Sequence, residues 1–268
     1  MKFCIKHYIA LLSIVAVTYS SCNKVQTKPA SSNENTAASQ LSLSLYKSLT
    51  GQYGGNNIND GVKATSAIHL SVRKTGANTL SSSNNVQSLC GYTIDTAYNY
   101  SVAANDTTKT FTGTFKFVNT CSASTVDGYS VYDTVSNTEQ GTKFINNYIN
   151  AQYYTVQALD KTYKLVSANG YIFAEASSLL YATATAKSQL NALNSKYYLT
   201  ALTIDVTSGT ADITGGTSTF NASINSPDGT ITSYQGTLVF LGNHQAKITF
   251  STGKSYMVNM LTGQVTAI

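Results

Sequence analysis

Apolar and polar residues alternate with a period of two along most of this chain. The pattern is clearest between Cys90 and Cys121. Folding that stretch about Asn105-Asp106 sets Tyr92 opposite Asn119, Ile94 opposite Phe117, Thr96 opposite Phe115, Tyr98 opposite Gly113 and Tyr100 opposite Phe111. These residues share one face, because side chains alternate along a strand. The other face pairs Thr93 with Val118, Asp95 with Lys116, Ala97 with Thr114 and Asn99 with Thr112. It is mostly polar, and its acid lies opposite a base. A slip of one residue would mix the two faces. The register therefore predicts a long hairpin with Cys90 opposite Cys121.

The same alternation runs to the end of the chain. Tyr198, Leu202, Ile204 and Val206 are expected on one face. Ser226-Pro227-Asp228-Gly229 is a turn with Pro second and Gly fourth. Leu238-Val239-Phe240-Leu241 is apolar in both phases, which predicts a central strand buried on both faces. Gly242-Asn243 closes that strand onto Gln245 to Phe250. A three-residue loop at Thr252 to Lys254 would keep Ile248, Phe250, Tyr256 and Val258 together on one face. Near the start, Leu41, Leu45 and Leu49 stand four apart before Gly51, the spacing and stop of a helix, which is favoured over a strand although Leu41, Leu43 and Leu45 also alternate. A polar turn, Gly54 to Gly61, and a strand from Val62 to Val72 should follow.

The expected fold is all-β. It is a long-stranded antiparallel meander (a curved sheet, an open barrel or a sandwich) with one short N-terminal helix. Nineteen Tyr, no Trp and two Pro suit pleated sheet. A transmembrane barrel would need an apolar band on every strand, and the Thr, Ser, Asn and Lys faces do not supply one.

The N-terminus changes the picture. Met1 to His7 carries Lys2 and Lys6, and an apolar run of about a dozen residues, Tyr8 to Tyr19, follows. Ser20-Ser21-Cys22 comes next. These are the parts of a secretory leader, and the run is shorter than the roughly 20 residues that span a bilayer. Ser20-Ser21-Cys22 resembles the lipobox of bacterial lipoproteins. Tyr19 stands where the box usually has an aliphatic residue, and Ser21 where it has Gly or Ala. With Asn23-Lys24 behind the cysteine, the segment is similar to the looser boxes of Bacteroidota outer-membrane lipoproteins. The resemblance implies a signal peptide over 1–21, lipid on Cys22, and an outer-membrane anchor facing the periplasm or the cell surface. Residues 22–40 read as a flexible tether and 41–268 as a single all-β domain. An exported chain lives where disulfides persist, so Cys90 and Cys121 are expected to be bonded.

Two of the 17 Lys and Arg lie in the leader, and the 12 acids all follow it, so the chain past the leader has a net charge of +3. Arg73-Lys74 is the only adjacent basic pair, which makes no nucleic-acid stripe. His69 and His244 lie far apart with no metal-ligand spacing, and neither a nucleophile elbow nor a phosphate loop occurs. No metal or cofactor is expected. Asp127 and Asp133 are the acids considered as a glycosidase pair, but nothing singles them out. Asp95-Thr96-Ala97, Asp106-Thr107-Thr108 and Asp133-Thr134-Val135 match the short O-glycosylation acceptor pattern of Bacteroidota. Thr107, at a hairpin tip, is the best placed of the three. Thr134 follows, and Thr96 should point into the core. The functional expectation is a non-enzymatic, membrane-anchored envelope protein whose sheet binds or scaffolds a glycan, lipid or protein. The alternatives are a lipid or lipoprotein carrier with an apolar cavity, or an envelope hydrolase acting on glycans. Tyr148, Tyr153, Tyr154 and Tyr197 are candidate glycan-stacking residues that compete with a core role.

Overall fold

The computed structural model describes residues 34–62, 90–181 and 189–268. Cys22, His69, residues 22–33 of the expected tether and the expected strand beyond Val62 lie outside the described residues. Among the described residues one helix, α1 (Glu34–Leu49), precedes eleven strands. They are β1 (Thr93–Ala104), β2 (Thr107–Ser122), β3 (Thr125–Gln140), β4 (Phe144–Ala158), β5 (Leu165–Leu180), β6 (Gln189–Asp205), β7 (Asp212–Asn225), β8 (Ile231–Gly242), β9 (Gln245–Phe250), β10 (Ser255–Asn259) and β11 (Val265–Ala267). All pair antiparallel in sequence order as one sheet, open between β1 and β11. The expected meander is therefore a single open sheet, neither a closed barrel nor a sandwich.

The first hairpin has the register read from the sequence. Thr93 pairs with Val118, Ile94 with Phe117, Tyr100 with Phe111 and Ala104 with Thr107, around a turn at Asn105-Asp106. Cys90 and Cys121 are bonded, with Cα atoms 5.6 Å apart. The bridge closes the end of the hairpin opposite the turn.

One face of the sheet is buried, and α1 packs on it against β5, β6, β10 and β11. It carries Phe115, Phe117, Val131, Tyr154, Ile172, Tyr197, Leu202, Phe220, Leu238 and Ile248. The helix sets Leu41, Leu45 and Leu49, all fully buried, against it. It starts at Glu34, seven residues before Leu41 and inside the span read as tether. The reason is tertiary. Ala37 and Ala38 are buried on the sheet, and Glu34 reaches the β9–β10 hairpin. Its carboxylate accepts from Thr252 Oγ1 at 2.7 Å and lies 3.4 Å from Lys254 Nζ. The far end closes in a Schellman turn. Gly51 takes the left-handed conformation (φ +70°), and the Gln52 amide donates to Lys47 O at 2.9 Å.

Three readings are corrected. Tyr198 does not share a face with Leu202 and Ile204, because a bulge around Ala201 (φ +49°) shifts the phase of β6. Leu199 and Tyr197 are buried, and Tyr198 is exposed. Strand β8 is buried on one face only: Leu238 and Phe240 lie inside, while Val239 and Leu241 are exposed. The last hairpin keeps Ile248, Phe250, Tyr256 and Val258 on the buried face, but its loop is Ser251–Gly253, with Phe250 facing Lys254 and Ile248 facing Tyr256. Moving the register by two residues preserves the face.

The uncovered face carries an aromatic row. Tyr132, Tyr153, Tyr171 and Tyr198 stand directly opposite one another on β3 to β6. Tyr153 and Tyr171 stack at 4.9 Å, and Lys196 Nζ sits 5.2 and 5.1 Å from the Tyr171 and Tyr198 rings. The stacked faces are spent on each other, so the row acts as cross-strand stabilisation. Tyr171→Ala should lower unfolding stability by about 2 kcal/mol, and Tyr171→Phe by much less. Urea denaturation of the two variants checks this, and equal losses would contradict a ring-stacking role.

Candidate functional site

The chain that leaves α1 turns back across the sheet as Gly51 to Asn57 and ends in a 3-10 turn, Ile58–Asp60. Two polar residues on the buried face of β4 grip it. Gln152 Nε2 donates to Ser48 O at 2.6 Å and to Asn56 O at 3.1 Å, while its Oε1 accepts from the Asn56 amide at 2.7 Å. Asn150 Nδ2 donates to Gly54 O at 3.1 Å. Asn56 Nδ2 donates to Tyr154 Oη at 2.9 Å. These side chains satisfy backbone groups that a helix end and an irregular loop would otherwise bury unpaired.

Asp133 lies beside this grip on β3, in the buried phase between Val131 and Val135. It is 1 % exposed, its Oδ2 has no hydrogen-bond partner among the described residues, and Tyr98 Oη approaches Oδ1 at 3.5 Å. Burial raises its pKa from 3.8 to about 7, against smaller opposing effects from the Asn56 amide, the Tyr98 hydroxyl and the Thr134 amide. Burial, and secondarily the Asp133 charge, drive the Tyr98 hydroxyl well above its ordinary value. Gly55 (φ +91°) is required here. A Cβ would stand 2.6 Å from Asp133 Oδ2 and 2.7 Å from Gln152 Oε1.

The same loop carries Tyr53 to the other side of the seam. Tyr53 stacks on Tyr148 of β4 at 4.7 Å. Burial, then the neighbouring Tyr148, pushes the Tyr53 hydroxyl up to about 12. The pair forms one wall of a cleft of about 210 Å³. Gln40, Leu43 and Lys47 of α1 form a second wall, and Ala176 to Ser178 of β5 with Asn191 and Leu193 of β6 complete it. Lys47 is the one charged lining residue, and no carboxylate lies within 4.0 Å of it among the described residues. Gln40 Oε1 is buried without a hydrogen-bond partner among the described residues.

Among the described residues no three His, Cys, Asp or Glu side chains gather as a metal set. Asp127 and Asp133 lie on one strand six positions apart, roughly 20 Å at a strand's rise, so they do not form a carboxylate pair. Tyr154 and Tyr197 are core residues, and the Tyr197 hydroxyl donates to Leu41 O at 2.8 Å. Tyr153 belongs to the uncovered row, and Tyr148 alone of the four reaches the cleft. Thr107 is half-buried at the β1–β2 tip. Thr134 lies mid-sheet on the uncovered face, its hydroxyl 3.1 Å from Tyr153 Oη. Thr96 lies on the covered face.

Sequence reasoning missed Gln40, Lys47, Tyr53, Asn56, Asn150 and Gln152. Asn150 and Gln152 had a readable signal, since polar side chains occupy the phase that Tyr154 and Val156 mark as buried. The others depend on where the loop lands. No family, no curated protein and no solved structure matches the chain.

Proposed function

We propose that this protein is a lipid-anchored, non-enzymatic binding protein of the bacterial envelope, held to the outer membrane through Cys22. The observation that carries the binding role is the cleft at the helix–sheet seam. It sets the Lys47 ammonium, which has no carboxylate within 4.0 Å among the described residues, beside a tyrosine pair and two leucines. A concave mixed site of this kind suits a ligand with one apolar side and few polar groups. The leader and Ser20-Ser21-Cys22 support the anchor, and two or three acyl chains hold such a protein stably.

A carrier role would require α1 to leave the sheet and open its apolar face. Leu41, Leu45 and Leu49 are fully buried there, at roughly 1.5–3 kcal/mol each, which favours a fixed plug over a lid. The anchor is tested by growing the native host with an alkyne-tagged palmitate and fractionating the cells. The wild-type protein should take the label and sediment with outer membrane. Cys22→Ala should lose both properties. An unlabelled wild-type protein in the soluble fraction would overturn the proposal.

A further inference from the structure

The meander sorts its connections between two ends of the sheet. Those of β1–β2, β3–β4, β5–β6, β7–β8 and β9–β10 lie at one end, and those of β2–β3, β4–β5, β6–β7 and β8–β9 at the other. The first end carries an apolar tip. Phe144 and Ile145 open β4, Leu179 and Leu180 close β5 with Tyr181 behind them, and Leu190 stands at the start of β6. Phe144 pairs with Leu180, Ile145 with Leu179, and Leu179 with Leu190, so the patch is continuous across three strands. Leu180 is 50 % exposed, Leu190 43 % and Tyr181 38 %. No charged residue occurs in 144–158, 176–181 or 189–195. Charges at this end sit on the flanking hairpins, where Lys109 and Glu139 pair at 3.1 Å, and at Lys143 just before the tip. Leu159, Leu241 and Leu261 are exposed at the opposite end, but there Asp127, Asp160, Asp205 and Asp212 outnumber Lys161 and Lys164. Exposed apolar patches mark partner or membrane sites, and a negative bilayer surface disfavours the acidic end.

The chain from Cys22 also enters at the apolar end. Glu34, the first residue of α1, is fixed to Thr252 and Lys254 in the β9–β10 connection. The register sets Phe250 level with Gly236, Phe220, Tyr197 and Ile172. From Ile172, β5 runs on to Leu180, which carries the tip about 26 Å further along the strands. Twelve residues separate Cys22 from Glu34, and a chain of that length spans at most about 40 Å. An acyl group on Cys22 therefore leaves the tip within reach of the bilayer.

We propose that the β4–β6 tip is a membrane-docking surface, seated in the headgroup region of the bilayer that holds the Cys22 lipid. Leu180 and Leu190 supply apolar contact, Tyr181 is of the type that settles at such interfaces, and Lys143 suits an anionic leaflet. Three side chains are too few to bind a bilayer alone. The acyl anchor supplies the affinity, and by holding the tip at high local concentration lets weak contacts fix the orientation. The inference rests on the lipid-anchor reading above and adds to it the face that meets the membrane.

The chain has no Trp, so a single introduced one reports its own surroundings. Tyr181→Trp and Leu159→Trp, at opposite ends of the sheet, are purified as full chains from the native host's membranes and reconstituted in phosphatidylethanolamine–phosphatidylglycerol vesicles. Doxyl-labelled phosphatidylcholine in the bilayer should quench about half of the Tyr181→Trp emission and less than about a tenth of the Leu159→Trp emission. Adding Leu180→Ser and Leu190→Ser to Tyr181→Trp should abolish the quenching while vesicle flotation persists, and thermal melts of each variant confirm folding. Equal quenching at the two positions, stronger quenching at Leu159→Trp, or none at Tyr181→Trp overturns the inference. Tyr181→Trp emission shielded from acrylamide but not quenched by doxyl lipid would assign the tip to a second copy and overturn it too. Each of these failures leaves the palmitate label and flotation intact, so the docking face can fall without the anchor. A chain that neither takes the label nor floats overturns both.

Discussion

Asp133→Asn should make the protein more stable at pH 8 and remove most of a pH dependence that the wild type shows between about pH 4 and pH 7. The carboxyl is buried with one oxygen unpaired, and its folded-state pKa is raised to about 7 from 3.8. A raised carboxyl pKa means that the folded state holds the proton more tightly than the unfolded one. Stability is therefore full below the unfolded value and falls as pH rises towards the folded value. Above that point the penalty is complete, on the order of 4 kcal/mol for a shift of this size. Asparagine keeps the volume and cannot ionise. The two proteins should unfold at similar urea concentrations at pH 4, diverge through pH 6, and differ by about 3–4 kcal/mol at pH 8. Parallel pH profiles would show that Asp133 is solvated or paired in solution. The loop that Asp133 faces, Gly54 to Asn56, directly follows the plug helix. The variant should therefore also slow hydrogen exchange at the end of α1 at neutral pH.

Removing the disulfide should produce the second large effect. Cys90 and Cys121 are separated by 31 positions. Closing a loop of that length removes unfolded-state entropy equivalent to about 4 kcal/mol. Among the described residues β1 is an edge strand that pairs only with β2, so its first residues depend on the bridge more than an interior strand would. Cys90→Ala with Cys121→Ala should lower the urea midpoint and speed amide exchange at Thr93 to Asp95. Dithiothreitol should do the same to the wild type, because both cysteines are exposed. An unchanged midpoint in the double variant would mean that the hairpin persists in the unfolded chain.

The β1–β2 hairpin was legible in the sequence because three constraints agreed: two-residue periodicity, a two-residue turn and a cysteine at each end. Strand β6 was not, because its phase changes at Ala201, which takes a positive φ without being glycine. No residue type marks such a bulge. Strand β8 misled because apolar residues in both phases usually mean burial on both faces. Here Val239 and Leu241 sit on the uncovered face of a one-sided sheet. Glu34 to Gln40 looked like tether because the segment has little intrinsic apolar period. It is helical because Ala37, Ala38 and Glu34 find partners far away in sequence. The cleft was invisible for the same reason: its walls come from α1, the loop after it, and strands more than a hundred residues on. The buried polar grip was half legible, since Asp133, Asn150 and Gln152 interrupt apolar phases.

The fold, the Asp133 prediction and the cleft all require α1 to be a fixed part of the sheet's core. Native-state hydrogen exchange tests that requirement most directly. The amides of Leu45 to Leu49 should exchange with the same free energy and denaturant dependence as those of Ile172 and Tyr197, in one cooperative unit. Exchange of α1 orders of magnitude faster than β5 and β6, with no denaturant dependence, would mean that the helix leaves the sheet freely and would contradict the account.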